Sequence, residues 1–325
     1  MALRVSLLLG SLLLLLLLML PHTTLSKPSE IKGEKRSLEH PFKFLQNLEG
    51  SQKGQTVEGL NELKKYLKKF GYLNYGGNSN DVKPAGHANN DEFDELLESA
   101  IKTYQINYKL KATGSLDSQT VKQMMIPRCG VADITTNGTT SMRSGKKKHH
   151  QDLHTVSHYK FYRGRPRWPR SKTHFTYSFR SSVALSEMME EDLRRISEQA
   201  FEKWAKPSLF TFEEVDSSSD IVIGFHRRSH GDDDAFDGQG GVTNHAYEPT
   251  TGKLHFDADE YWSTSASPGV MDMESIALHG IGHVLGLDHS PDQDSVMYSS
   301  LSCGVAKRRL TDDDILGIRT LYGRF

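Results

Sequence analysis

Cysteine is almost absent. Cys129 and Cys303 are the only two in 325 residues, which excludes a scaffold stapled by several disulfides. They leave two readings open: one disulfide between them, or a thiol with another task. Excess charge is absent too. The 40 basic and 41 acidic side chains leave a net charge of −1, so electrostatics gives no case for a nucleic-acid partner. Only one long apolar run exists, Val5 to Leu20. Arg4 precedes it, Pro21 ends it, and Thr24-Leu25-Ser26 offers a small-residue cleavage site. The run is short for a membrane span, so residues 1–26 read as a secretory signal peptide. The terminal Leu-Tyr-Gly-Arg-Phe is not the hydrophobic tail that a lipid-anchor signal needs. A secreted, extracellular, monomeric protein without a stable membrane anchor is expected.

What is present divides the chain after the signal peptide in two. Residues 27–154 form the first part, opening with a polar leader. Within it, 41–126 read as a helical unit. Leu60, Leu63, Leu67 and Phe70 recur at helical spacing, and Gly71 sits where that helix should stop. A second helix is expected from about Asp91 to Ile106, with Phe93, Leu96, Leu97, Ile101 and Tyr104 inward. A third begins at Ser118 and runs to Met125. Residues 134–152 are polar, small and basic: a linker and a natural site for proteolysis. They contain an Asn137-Gly138-Thr139 glycosylation triplet and the run Lys146-Lys147-Lys148. Residues 155–325 mix strands with helices. Strands are expected at Thr173–Phe179, Phe210–Val215 and Asp220–Phe225. Helices are expected at Ser186–Ala205, at 272–286, and at Thr311–Tyr322, the last opening on a capping box of Thr311 and Asp314. The expected fold class is α+β, a twisted mixed sheet with three helices, preceded by a three-helix bundle.

The chemistry concentrates in A-L-H-G-I-G-H-V-L-G-L-D-H-S, residues 277–290. His279 and His283 are four apart, which stacks two imidazoles on one helical face. Gly286 lets the chain leave the helix with positive φ, and His289 can then return to the same point. Three neutral imidazoles with one open position suit a catalytic zinc.

These residues resemble the metzincin signature H-E-x-x-H-x-x-G-x-x-H. Downstream, S-V-M-Y resembles the Met-turn, which would put Met297 in the floor beneath the metal. Upstream, P-R-C-G-V-A-D resembles the cysteine switch of matrixins, the matrix metalloproteinases. The resemblance extends over nearly the whole chain and is closest to the plant-type members. It implies that Cys129 binds the zinc in a latent form, that Arg128 and Asp133 pin its loop by an ion pair, and that an activating protease cuts after residue 133. Cys303 is then a lone thiol. It also implies a structural zinc held by His230, Asp232, His245 and His255, four ligands with no open position. A structural calcium would take carboxylates from Asp237, Asp257 and Glu260 and carbonyls from Gly238, Gly240 and Val242. A further calcium site is not expected, because Lys253 stands where a carboxylate belongs beside Asp220.

One position departs from the family. Gly280 occupies the place of the glutamate that takes a proton from water and passes it to the leaving amine. General acid–base catalysis is worth about 10²–10⁴-fold, so impaired activity is expected. Glu274 lies too far along the helix, and on another face, to replace it. The resemblance implies cleavage of extracellular proteins with a hydrophobic residue beside the zinc. The alternatives are a pseudoprotease that binds peptides or inhibitors without cutting, and a carbohydrate-binding role for the amino-terminal bundle.

Overall fold

A computed structural model of the chain describes residues 40–75, 90–134, 146–147 and 156–323. The expected signal peptide, the Asn137 triplet and Lys148 lie outside the described residues.

The amino-terminal unit holds a short 3-10 turn, Lys43–Leu48, and three helices: α1 Leu60–Lys69, α2 Glu95–Asn107 and α3 Ser118–Met124. The caps decide where they start. Asp94 accepts from the Leu97 amide at 2.8 Å and Asp117 from the Thr120 amide at 2.9 Å, each satisfying an otherwise orphan donor. The second helix therefore begins at Asp94, not Asp91. Gly71 ends α1 as expected, with φ 83°. Leu96 is a correction: it is 38% exposed, whereas Leu97, Ile101 and Tyr104 are buried. Leu97, Ile101 and Tyr104 are spaced i, i+4, i+7, and Leu96 falls off that stripe.

The carboxy-terminal unit is built on a six-stranded sheet. Its strands are β1 Arg128–Cys129, β5 His174–Phe179, β6 Thr211–Glu214, β7 Ile221–His226, β8 Val242–Ala246 and β9 Lys253–Asp257. The order is β1-β8-β9-β7-β5-β6. Only the β8–β9 pair is antiparallel. The short ladders β2 Lys146–Lys147 with β3 Val156–Ser157, β4 Lys160–Phe161 with β12 Leu287–Asp288, and β10 Trp262–Ser263 with β11 Met271–Asp272 lie outside it. Strands β8 and β9 fall in the stretch that reads only as rich in His, Asp and Gly. Every residue of β8 is buried, so no alternation marks it. Strand β1 comes from the first unit, and Gly130 lets it close on β8. A Cβ there would lie 2.9 Å from Val242 and 3.2 Å from His245.

Three helices pack on the sheet: α4 Glu187–Ala205, α5 Met273–Val284 and α6 Asp312–Tyr322. All twelve residues of α5 are buried, and Trp204 of α4 donates its indole N–H to the Leu278 carbonyl at 2.8 Å. The close approach depends on Gly282, whose absent Cβ would meet Met297 Sδ at 2.3 Å and Trp204 Cζ2 at 2.9 Å. Gly282→Ala should therefore destabilise. Overpacking costs about 1–3 kcal/mol, and the helix-propensity gain of about 1 kcal/mol offsets only part. A lower urea midpoint is expected, and an unchanged or higher one would overturn this account of the packing.

Candidate metal centre

Helix α5 carries His279 and His283 on one face. Gly286, at φ 101°, turns the chain into β12, and His289 follows. Ser290 donates its amide to the Met297 carbonyl at 2.9 Å, which ties the histidine loop to the Met-turn. Asp314 caps α6 and also accepts from the Ser295 hydroxyl at 2.6 Å and the Val296 amide at 3.1 Å. The turn under the site is thus fixed from the last helix.

Four donors meet here. One atom each from Cys129, His279, His283 and His289 lies within 4.8 Å of the others, all four residues buried. His279 Nδ1 donates to the Val296 carbonyl at 2.8 Å, and His283 Nδ1 to the Leu287 carbonyl at 2.9 Å. With protons on Nδ1, the Nε2 atoms face each other as lone pairs only 3.0 Å apart. Among the described residues, Nε2 of His289 has no hydrogen-bond partner. Facing lone pairs need a cation between them, so the donor set fits a metal ion. Burial holds the His283 imidazole down at about 4; burial would lower His289 too, but Asp133 and Cys129 raise it to about 9.

Cys129 closes the fourth side. Its Sγ stands 3.6 Å from His283 Nε2 and accepts from Asn244 Nδ2 at 3.7 Å. It makes no disulfide; Cys303 is exposed and its thiol points at Met271 Sδ, 3.5 Å away. Burial alone would push the Cys129 thiol up, yet the imidazoles of His279 and His283 pull it well below its ordinary value. The segment is pinned through the buried Arg128–Asp133 pair at 2.8 Å. The Arg128 guanidinium lies 3.5 Å over the Phe70 ring and donates to Tyr108 Oη at 3.1 Å. Tyr72 donates to Asp133 at 2.7 Å and Tyr108 at 3.2 Å. Burial pushes the Asp133 carboxyl up, but Arg128 and His289 outweigh it and hold the group below the usual carboxylate range.

The second group is His230, Asp232, His245 and His255. Asp232 Oδ2 lies 2.9, 3.0 and 3.0 Å from the three imidazole nitrogens. Those nitrogens are 3.4, 3.1 and 3.1 Å from one another. A tetrahedron with zinc-length arms of about 2.0 Å has edges of about 3.3 Å, so the six edges suit a closed four-ligand zinc site. His226, not singled out by the sequence, stacks on His230 with centroids 4.8 Å apart, lies tilted against His255 and binds Ser182 Oγ at 2.9 Å. It stands outside the donor set.

The six expected calcium residues lie at one loop–strand junction. Here the carboxylates accept from the loop's own amides: Asp257 from Gly238 at 3.2 Å, Glu260 from Gly240 at 2.7 Å and Asp237 from Val242 at 2.8 Å. Burial, then neighbouring carboxylates, push Asp257 up to about 7 and Glu260 to about 8. Asp220 is engaged elsewhere, with Lys172 at 2.7 Å.

At Gly280 the space for a side chain is taken. A Cβ would lie 2.3 Å from Leu254 Cδ1 and 2.9 Å from Cδ2. Glu274 is committed to Lys203 and, at 3.2 Å, to Arg308; it is no substitute base. Sequence reasoning also missed Tyr162, whose hydroxyl is 2.9 Å from His283 Nδ1.

The arrangement has known counterparts. The model of the Matrixin family matches residues 167–323, and that of a putative peptidoglycan binding domain matches 56–124. Metalloendoproteinase 2-MMP of Arabidopsis thaliana is 39% identical over 294 residues, 85% of this chain and 74% of that protein. Metalloendoproteinase 1 of Glycine max is 41% identical over 280 residues, 83% of this chain and 84% of that protein. The chain belongs to the matrixins. It is thereby a member of a zinc-dependent metalloendopeptidase family, with the α+β fold and the helical amino-terminal unit expected of it. Interstitial collagenase of Sus scrofa is more distant, at 33% over 265 residues, 80% of this matrixin and 49% of that protein. No described helix of this matrixin is long and apolar enough to cross a membrane.

Proposed function

We propose that this matrixin is a secreted, latent zinc endopeptidase of extracellular proteins whose turnover is impaired by Gly280. The observation that carries it is the Cys129 thiol standing against three imidazoles whose Nδ1 atoms are all engaged and whose Nε2 atoms face inward. Zinc there would supply Lewis-acid polarisation of a peptide carbonyl and activation of water. The chain's own residues do the rest. Val296 and Leu287 orient two ligands, Met297 packs beneath α5, and β1 covers β8. Without β1, β8 becomes an edge strand whose free amides and carbonyls can pair with an extended peptide. An activating protease would act in the linker that follows residue 133. Assay of the full chain before and after such a cut tests the reading: cleavage appearing only after it is expected. Equal cleavage before and after would sink the latency.

A second reading is a pseudoprotease that binds peptides or inhibitors. Leu254 favours it, because its methyl groups lie where a Cβ at position 280 would begin.

We assign calcium to the loop of Asp237, Gly238, Gly240, Val242, Asp257 and Glu260. The buried carboxylates support it, since a cation would relieve their repulsion. The ordinary values are 3.8 for Asp257 and 4.5 for Glu260, and the folded values are about 7 and about 8. A raised folded pKa favours the fold at low pH and loses that stability as pH rises through the folded value. With chelator present, Tm should therefore fall between about pH 4 and pH 8, and Asp257→Asn should flatten the slope. Added calcium should restore Tm at pH 8; no response to calcium would remove the assignment.

A further inference from the structure

The three imidazoles of the site are not held alike. His279 and His283 are oriented by carbonyls of the catalytic unit itself, those of Val296 and Leu287. His289 Nδ1 instead donates to Asp133 Oδ1 at 2.9 Å, with both side chains 0% exposed. Asp133 belongs to the segment that carries Cys129, four residues after it. Its other oxygen, Oδ2, is held by the hydroxyls of Tyr72 and Tyr108, which follow α1 and α2. The folded bundle therefore aims Oδ1 at the back of His289, while Nε2 of that ring faces the site with no hydrogen-bond partner among the described residues.

We propose that Asp133 is a positioning residue for the third metal ligand, so that the latency segment both caps the zinc and helps to retain it. The carboxylate fixes the His289 tautomer with the proton on Nδ1. It also sets the ring's rotation and strengthens Nε2 as a donor, as acceptors behind ligating histidines do. The same Oδ1 also accepts from Arg128 Nη2 at 2.8 Å, so one oxygen both pins the Cys129 segment and anchors His289. The positioning role predicts an asymmetry between states: once the segment leaves, two ligands keep their anchors and His289 loses its own. The catalytic zinc is then held less tightly than loss of the thiolate alone would cause. The inference rests on the zinc reading above.

The test removes the thiolate first. Zinc affinity is measured by chelator competition in the full chain carrying Cys129→Ser, and again with Cys129→Ser plus Asp133→Asn. The second is expected to bind zinc about 10–100-fold more weakly, the usual effect of altering the partner behind a ligating histidine, here a carboxylate exchanged for a neutral amide. Equal affinities overturn the proposal. A second measurement needs no variant at residue 133. In the zinc-loaded natural chain, long-range nitrogen NMR should show His289 with a slowly exchanging Nδ1 proton in the latent form and a fast-exchanging one after the linker is cut. Fast exchange in the latent form overturns the role even if Asp133→Asn fails to fold. A natural chain that takes up no zinc overturns the zinc reading and this inference together. A chain that binds zinc yet is indifferent to Asp133 overturns this inference alone.

Discussion

Gly280→Glu, assayed after removal of the latency segment, is expected to raise peptide cleavage by about 10²–10⁴-fold over the natural chain, the usual worth of a general acid–base group. Gly280 is flanked on α5 by a metal-ligand candidate on one side and tight packing on the other. A carboxylate there would sit beside His279 and could take and return a proton. The obstacle is local: Leu254 Cδ1 lies 2.3 Å from where the new Cβ must go. The clash is with the tip of a side chain, which can turn aside, and not with backbone. Leu254→Val in the same chain should therefore raise kcat further, while lowering stability, since Leu254 is fully buried. Zinc content must be measured in each variant, so that a change in kcat is not a change in occupancy. If the natural chain already cuts as fast as the Glu variant, another group supplies the base and the account of Gly280 is wrong. If the zinc-loaded double variant does not cut, the defect lies outside this pair and the second reading, binding without cleavage, gains.

Much of the site could be read from spacing, because its core lies within eleven residues. His279 and His283 share a helical face, and Gly286 returns the chain, so three candidate ligands follow from local geometry. Leu193, Ile196, Ala200, Phe201 and Trp204 of α4 follow helical spacing in the same way, and all five are buried. What spacing could not reveal depends on contacts between distant segments. Strand β1 is two residues long, and it joins the sheet only because Gly130 fits against β8. The carbonyls that orient His279 and His283 belong to Val296 and Leu287 and carry no side-chain signal at all. Leu254 is an ordinary strand residue until α5 is laid over it. The residues alone left the role of Cys129 open between a disulfide and a ligand. Resemblance implies the ligand; in the structure Cys129 and Cys303 are not paired, and the Cys129 thiol stands 3.6 Å from His283 Nε2.

Arg128→Ala is expected to loosen the docked Cys129 segment by about 3–5 kcal/mol, the cost of breaking one side of a buried ion pair. The pair is closed to water, with side chains 1% and 0% exposed. Alanine would also forfeit the guanidinium's place over Phe70 and its bond to Tyr108. Asp133 would keep Tyr72, Tyr108 and His289 as partners, which sets the cost toward the lower end of that range. At about 1.4 kcal/mol per tenfold, the docked-to-undocked ratio should fall by about 10²-fold or more. Cys129 reports it directly: the residue is 3% exposed when docked, so a thiol reagent reaches it only from the open form. Cys303 is exposed and would react first, so the measurement belongs in a Cys303→Ser background. Labelling of Cys129 should speed up by the same factor, and Arg128→Lys should fall between, because an ammonium keeps the charge but not the planar fork. Unchanged labelling in Arg128→Ala would mean that the sheet pairing of β1, and not the ion pair, holds the cysteine in place. The docked segment would then survive any substitution at this pair and yield only to a cut in the chain.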